Sequence, residues 1–389
     1  VCSKFSQRFW RKRKLQNYPV ELLQEMLRTY SPSGSETELA HLLLNHMRFN
    51  GFKARIDQVG NVIGEIGDTG PKLLLCGHMD TIPGQITVRR DGDLLFGRGA
   101  VDAKSSLAAM LVGASLASQK SVMPFKVTLA AVVEEETTSK GIRAIIEDSV
   151  SYDLGVFGEP SGASNLVIGY KGSLKMRLTC KTLGGHSASP WLSSSSYDES
   201  YKFWKTFAGS LLQNDSQSKF SAVTGCVTGS HAGDSGNCVP THATLDMDIR
   251  IPPGVSSNDL AEAFQQFTAQ YETDHPNLNL KLEVWDRTEA FLGDGNSSGI
   301  SAFRWAIRKT NSGQVAFVKK TGTSDMNLFA EKYRIPMFAY GPGDSSLDHT
   351  DNEHVSITEY LNSIGVYASA LPRFAELTLN SVLLPTTTQ

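Results

Sequence analysis

In the first part of the chain, short and nearly unbroken apolar runs alternate with longer stretches whose apolar residues recur at helical spacing. Leu73-Leu74-Leu75-Cys76 closes on Gly77-His78, the run 127–133 closes on Glu134, and the run 153–157 closes on Gly158-Glu159. Runs of this kind, without polar alternation, predict strands of a sheet covered on both faces. Between them, residues 102–118 carry Leu107, Met110, Leu111 and Ala114 on one helical face, and 141–148 opens another helix. Residues 19–50 read as two helices around a loop, with Ser35-Glu36-Thr37-Glu38 as a capping-box start for the second. The strand–helix–strand order predicts an α/β fold, a mostly parallel sheet sandwiched by helices.

The pattern changes near Gly169. Residues 171–181 alternate through Leu174, Met176, Leu178 and Cys180, and residues 243–251 through Leu245, Met247 and Ile249, as half-buried strands do. A Ser/Tyr/Lys-rich stretch runs from Pro190 to about Ser221, a helix follows Val255, and 278–284 reads as a further strand. Residues 169–284 therefore read as an α+β domain inserted into a catalytic domain of residues 1–168 and 285–389. The last part returns to a helix at 300–309, a glycine loop at Gly322, a buried strand at 337–340, the Asp348-His349 loop and a helix over 357–378.

Composition narrows the function class. A chain of 389 residues with 40% hydrophobic and 20% charged residues is long enough for two domains and typical of soluble globular proteins. The net charge of −3 supplies no global field for nucleic acid. The basic run from Arg8 to Lys14 reads as a solvated tail or helix start, the alternative being a targeting or nucleic-acid arm. Five cysteines without Cys-x-x-Cys spacing argue against a disulfide framework and against a thiolate zinc site. Cys76, Cys180 and Cys238 lie in apolar stretches and are expected to be buried. No apolar run approaches a membrane span or a signal-peptide core, so a cytoplasmic protein with no membrane partner is expected.

Five residues at strand ends and loop tips carry metal-ligand chemistry: His78, Asp102, Glu136, Glu159 and His349. Two imidazoles and three carboxylates suit a pair of zinc-like ions. Two such ions can polarise a carbonyl and generate hydroxide from water at neutral pH. Singly, each residue has a bland alternative. His78 can be a surface turn, Asp102 a helix N-cap, Glu134-Glu135-Glu136 a solvated acidic turn, and Glu159 or His349 an ordinary loop residue. Asp80, two residues after His78, can orient its imidazole if the backbone stays extended. Jointly they weigh more, because parallel α/β sheets gather strand-end residues into one crevice.

These residues lie in motifs that resemble the co-catalytic metallohydrolases, the family that includes acetylornithine deacetylase, succinyl-diaminopimelate desuccinylase, aminoacylase-1 and carboxypeptidase G. The matching segments are Gly77-His78-Met79-Asp80-Thr81, Gly97-Arg98-Gly99-Ala100-Val101-Asp102-Ala103-Lys104, Glu134-Glu135-Glu136, Gly158-Glu159-Pro160-Ser161, Gly184-Gly185-His186-Ser187 and His349. The resemblance implies two divalent ions, zinc or alternatively cobalt, with His78 and Glu159 on one, Glu136 and His349 on the other, and Asp102 between them. It implies Asp80 behind His78 and Glu135 as general base, the alternative base/ligand pair being Glu134/Glu135. It further implies that His186 stabilises an oxyanion in a neighbouring subunit, hence a homodimer whose inserted domain acts as a lid. Asn237, Arg250, Gly322, Thr323 and Ser324 are implied as substrate contacts, Arg250 being suited to a carboxylate.

Within the family, Gly169-Tyr-Lys-Gly-Ser173, the Lys320–Asn327 segment and Tyr340-Gly-Pro-Gly343 resemble the branch that frees lysine or ornithine from an amino-group carrier protein. The chain departs from it in the Ser-rich insertion after Pro190, in the basic N-terminal extension and in Lys104-Ser-Ser, where much of the family has Lys-Gly-Gly. The expected activity is hydrolysis of an N-acyl or carrier-linked amide, as in lysine or arginine biosynthesis, with release of a free amino acid. A metallo-carboxypeptidase or dipeptidase of the same family is the alternative. A catalytically inactive binding protein is the reading of a different class, and the complete ligand set argues against it.

Overall fold

The computed structural model describes residues 17–121, 124–233, 236–311 and 314–383. The basic run from Arg8 to Lys14 and Cys2 lie outside the described residues. The chain divides into two compact units, one built from Val1–Ile168, Gly293–Val318 and Lys332–Gln389, the other from Gly169–Leu292 and Lys319–Glu331.

In the first unit, the sheet carries strands Lys53–Ile56, Val62–Ile66, Lys126–Val132, Lys72–His78, Leu154–Phe157 and Met337–Ala339 in that spatial order. The first two form an antiparallel edge, and Val62–Ile66 is antiparallel to Lys126–Val132. From Lys126–Val132 to Met337–Ala339 the strands are parallel. Leu73, Leu74 and Leu75 are fully buried, so both faces of the central strand are covered, as its unbroken apolar run predicts. The α/β class read from the sequence is the one found.

Helix Lys104–Lys120 differs from its one-sided reading. Every residue from Lys104 to Ser115 is buried. One side packs on the sheet and the other against the long C-terminal helix Ile357–Leu383, so small and apolar residues are needed all round. A methyl group at Gly113 would lie 2.4 Å from Tyr367 Cβ and 3.1 Å from the Ile364 carbonyl oxygen. The capping box is also absent. Glu36 occupies the N-cap of helix Thr37–Phe49, and no side chain caps the helix. Its carboxylate turns elsewhere, to the amides of Gly34 and Glu134.

The second unit is an antiparallel four-stranded sheet in the order Thr224–Ala232, His242–Ile251, Gly172–Lys181, Asn279–Thr288. The alternating Leu174, Met176, Leu178, Leu245, Met247 and Ile249 face helices Ser196–Leu211 and Ser257–Asp274, whose Phe203, Phe207 and Phe264 complete the core. The Ser-rich stretch thus contains a helix. Ser195 caps it by accepting from Asp198 N, and only Phe203 and Phe207 among its large apolar residues are fully buried. Cys76 and Cys180 are buried, whereas Cys238 is exposed because it sits on a short two-stranded ribbon rather than in the sheet.

Gly113→Ala is expected to lower unfolding stability by about 1–3 kcal/mol through overpacking of the two helices, despite a gain of up to about 1 kcal/mol in helix propensity. Denaturant unfolding followed by circular dichroism would measure it, and an unchanged or raised midpoint would contradict this packing.

Candidate metal centre

Three neighbouring parallel strands end together. His78 is the last residue of the central strand and pairs in register with Val132, while Cys76 pairs with Phe157 on the other side. The chain leaves those flanking strands into Glu134-Glu135-Glu136 and Gly158-Glu159. The next parallel strand, Met337–Ala339, leads through Gly341-Pro-Gly343 to His349. Asp102 enters from the turn that precedes helix Lys104–Lys120 and is not its N-cap, which is Ala103.

Two groups of ligand atoms result, His78–Asp102–Glu159 and Asp102–Glu136–His349, each with all its atoms within 4.8 Å of one another. Asp102 belongs to both and divides its oxygens between them. Oδ1 lies 3.1 Å from His78 Nε2, and Oδ2 lies 3.3 Å from His349 Nε2. His349 Nε2 is also 3.0 Å from Glu136 Oε1. Glu134, by contrast, turns outward to Thr138 and Lys140. Oxygen and imidazole donors in two sets sharing one carboxylate fit a pair of divalent cations.

His78 is held from behind. Its Nδ1 is 2.9 Å from the Asp80 carbonyl oxygen and 3.5 Å from Asp80 Oδ1, so Nδ1–H donates backward and Nε2 faces Asp102. The main contact is therefore the backbone carbonyl, and the Asp80 carboxylate has a second task. Its Oδ1 accepts from Glu135 N and its Oδ2 from Glu136 N, both at 3.1 Å, while Ser33 Oγ donates to Oδ2 at 2.7 Å. Glu36 Oε1 accepts from Glu134 N at 3.1 Å. Each amide of the acidic triplet thus ends on a carboxylate from another segment. Glu134 itself adopts a left-handed backbone with φ 56°, as does His349 with φ 62°.

The charges are strongly coupled. Burial opposes the imidazolium form of His78, but hydrogen bonds to Asp102 and Asp80 override it and raise its pKa well above the usual range. Glu135 is close enough to add to that rise. Hydrogen bonds to Asp102 and Glu136 carry His349 up to about 10. Burial favours neutral Asp102, yet the hydrogen bonds from His349 and His78 hold it far below the usual carboxylate range.

The other sequence-predicted residues lie in the second unit and form two groups. His186 and Asn237 share the exposed ribbon in which Gly185–His186 pairs with Cys238–Val239, and Ser187 N donates to the Asn237 carbonyl oxygen at 3.1 Å. His186 Nδ1 accepts from Ala188 N at 3.0 Å, which leaves Nε2 facing outward from the turn. Arg250 and the 322–324 loop form the other group. Arg250 Nη1 donates to Thr323 Oγ1 at 3.0 Å and Nη2 to Asp248 Oδ2 at 2.8 Å. Asn214, Lys219, Thr224, Arg250, Thr321 and Gly322 line a cavity of about 430 Å³. Ser324 is buried, and its Oγ accepts from Met326 N.

Sequence reading missed several supporting residues. Lys171 is buried, with Nζ donating to the carbonyls of Lys219 and Ala222 and to Thr224 Oγ1, and its own carbonyl accepting from Thr323 Oγ1. Burial and the nearby Arg250 push its ammonium down to about 8. Arg98 and Lys104 lay inside a quoted motif without a role. Glu353 had no signal beyond being an acidic residue in a polar segment, and Glu36 none beyond its place within the capping-box segment.

The sequence pattern of peptidase family M20/M25/M40 matches residues 74–373. A protein named [LysW]-lysine hydrolase, from Deinococcus radiodurans, is 34% identical over 91% of this chain and 96% of its own length. A [LysW]-lysine/[LysW]-ornithine hydrolase from Saccharolobus solfataricus is 31% identical over 90% of this chain and 94% of its own. Among solved structures, an M20-family metallo-carboxypeptidase from Sulfolobus solfataricus shares the fold with a TM-score of 0.78 at 20% identity, covering 92% of this chain and 99% of that one. A dinuclear metal-binding M20 peptidase from Bacillus subtilis does so with a TM-score of 0.70 at 14% identity, covering 95% and 99%. With parallel strands delivering two ligand groups around a shared aspartate and a family match over most of its length, the chain belongs to the M20/M25/M40 family of metal-dependent hydrolases.

Proposed function

We propose that the chain hydrolyses the amide that joins a lysine- or ornithine-type amino acid to a carrier protein. The observation that carries the hydrolytic part is the pair of ligand groups meeting at Asp102. The likeness to [LysW]-lysine and [LysW]-ornithine hydrolases over nine-tenths of the chain supports the substrate. His78, Glu159 and Asp102 would hold one ion, and Glu136, His349 and Asp102 the other. The mixed nitrogen and oxygen donors favour zinc, with cobalt the alternative. When bound, such ions polarise the scissile carbonyl and lower the pKa of water.

The remaining work falls to side chains. Glu135 takes a proton from water and returns it to the departing amine, and its main chain is anchored by Asp80 for that purpose. Arg250, with Thr323 fixed beside it, takes the carboxylate of the amino acid, while Asn237 and the Gly322–Ser324 loop complete the contacts. His186 supplies a donor to the oxyanion in the site of a second copy, which makes the active form a homodimer. Its surroundings support that reading. Leu183, Trp191 and Leu192 in the same segment are 92%, 77% and 79% exposed, an apolar surface suited to a partner.

Protons and metal compete for the same nitrogens. In the metal-free protein, both imidazoles bind their protons more tightly than in the unfolded chain. That stabilisation is complete below the unfolded histidine pKa of about 6.5 and is lost as pH rises through about 10 for His349. Metal affinity runs the opposite way and strengthens over the same window as the protons leave.

Three outcomes follow. Zinc- or cobalt-loaded protein is expected to release lysine or ornithine from a carrier-linked substrate faster than it cleaves N-acetylornithine or dipeptides; a preference for dipeptides in a side-by-side panel would transfer the assignment to a dipeptidase. Glu135→Gln should lose roughly a hundred- to ten-thousand-fold in kcat with both metal equivalents retained, and mixing it with inactive His186→Ala should restore partial activity if the histidine serves the other subunit. Metal-free protein should melt at progressively lower temperature from about pH 6.5 to about 10 while zinc affinity rises; calorimetry across that range would reveal a flat profile if the imidazoles were not coupled to the carboxylates.

A further inference from the structure

We infer that Glu353 and Arg98 are positioning residues of the metal centre: one buried ion pair aims the shared carboxylate of Asp102 and holds the loop that carries His349. The inference rests on the two-ion reading above and assigns a role to side chains that donate no ligand atom to either group.

The need for such a device comes from the backbone. Asp102 must present one oxygen to each ligand group, so its orientation has to be fixed closely, yet residues 97–103 form turns rather than helix or strand. His349 likewise sits in a turn, with a left-handed φ of 62°. Neither segment receives its direction from a sheet or a helix ladder.

Glu353 is 1% exposed and supplies that direction. Its Oε1 accepts from Val101 N at 2.9 Å and from Asp102 N at 3.1 Å, so it grips the main chain of the shared ligand itself. Its backbone carbonyl accepts from Gly97 N at the start of the same turn. Its Oε2 accepts from Arg98 Nη1 at 2.9 Å. Arg98 Nη1 also donates to the carbonyl of Thr350, the residue after His349, at 3.0 Å, and Nε donates to the Gly84 carbonyl at 2.9 Å. The pair therefore joins the Asp102 turn to the His349 turn through charge-assisted hydrogen bonds. Net stability is a weak reason for such a pair, because apolar replacements of similar size often serve as well. Direction is what apolar groups cannot supply, and supports behind ligands commonly govern metal affinity by about ten- to a hundredfold.

The ion held by Asp102, Glu136 and His349 depends on both turns, so it should suffer more than the ion on His78 and Glu159. The test is zinc binding by competition with a chromophoric chelator, together with the visible absorption spectrum of the cobalt-loaded protein. Wild type, Glu353→Gln and the double variant Arg98→Met/Glu353→Met are compared. The double variant removes both buried charges together, so it decides the matter if the single variant does not fold. Expected are two zinc equivalents in wild type, a second equivalent weakened about ten- to a hundredfold in the variants, an altered cobalt spectrum, and a kcat that recovers in excess zinc. Wild-type affinity for both equivalents in either folded variant would overturn the positioning role. Failure of wild type to take up two equivalents would instead remove the two-ion reading, and this inference with it.

Discussion

The buried carboxylate of Asp80 is the interaction on which the site depends. It has 0% exposure, and an unpaired carboxylate in such a place would cost on the order of several kcal/mol. The surrounding chain meets that demand with the His78 ring, the Ser33 hydroxyl and two consecutive amides of the acidic triplet. Hydrogen bonds from these groups outweigh burial and keep the acid ionised. One buried residue thereby holds one ligand from behind, chiefly through its carbonyl, and through its carboxylate sets the main-chain position of another.

This arrangement resolves an apparent conflict. Three adjacent glutamates at a strand end repel each other, and their amides would ordinarily turn toward water. Here Glu36 and Asp80 accept those amides, so the turn is braced from inside while Glu134 points to Thr138 and Lys140 and Glu136 points to His349. The concentration of negative charge is large, and the two imidazoles that face Asp102 and Glu136 respond with raised pKa values. A centre built this way favours added positive charge, which divalent ions supply.

The parts of the site that sequence could disclose are those created by local breaks in pattern. His78, the Glu134–Glu136 triplet and Glu159 follow apolar runs, and such runs in an α/β chain end on one edge of the sheet. The supporting carboxylates were illegible for the opposite reason. Glu36 and Glu353 act on backbone amides of Glu134 and of Val101 and Asp102, and an amide has no sequence signature. Ser35–Glu38 matched a helix start, but Glu36 became the N-cap and its carboxylate serves a distant turn instead. Helix Lys104–Lys120 looked one-sided because alanine and serine are ambiguous in a polarity pattern, and only the C-terminal helix reveals that its other side is covered too. Cys238 looked buried for want of any sign that its short apolar stretch was a ribbon at the surface.

The order of the ligands along the chain has a consequence during synthesis. His78, Asp102 and Glu159 all precede Gly169, where the second unit begins, whereas His349 follows it. A growing polypeptide emerging from the ribosome therefore possesses every member of one ligand group before the other can exist. The same holds for the brace on Asp102, since Glu353 is translated after His349. A chain terminated before His349 would hold one complete group and not the other, so full metal loading requires translation past that residue.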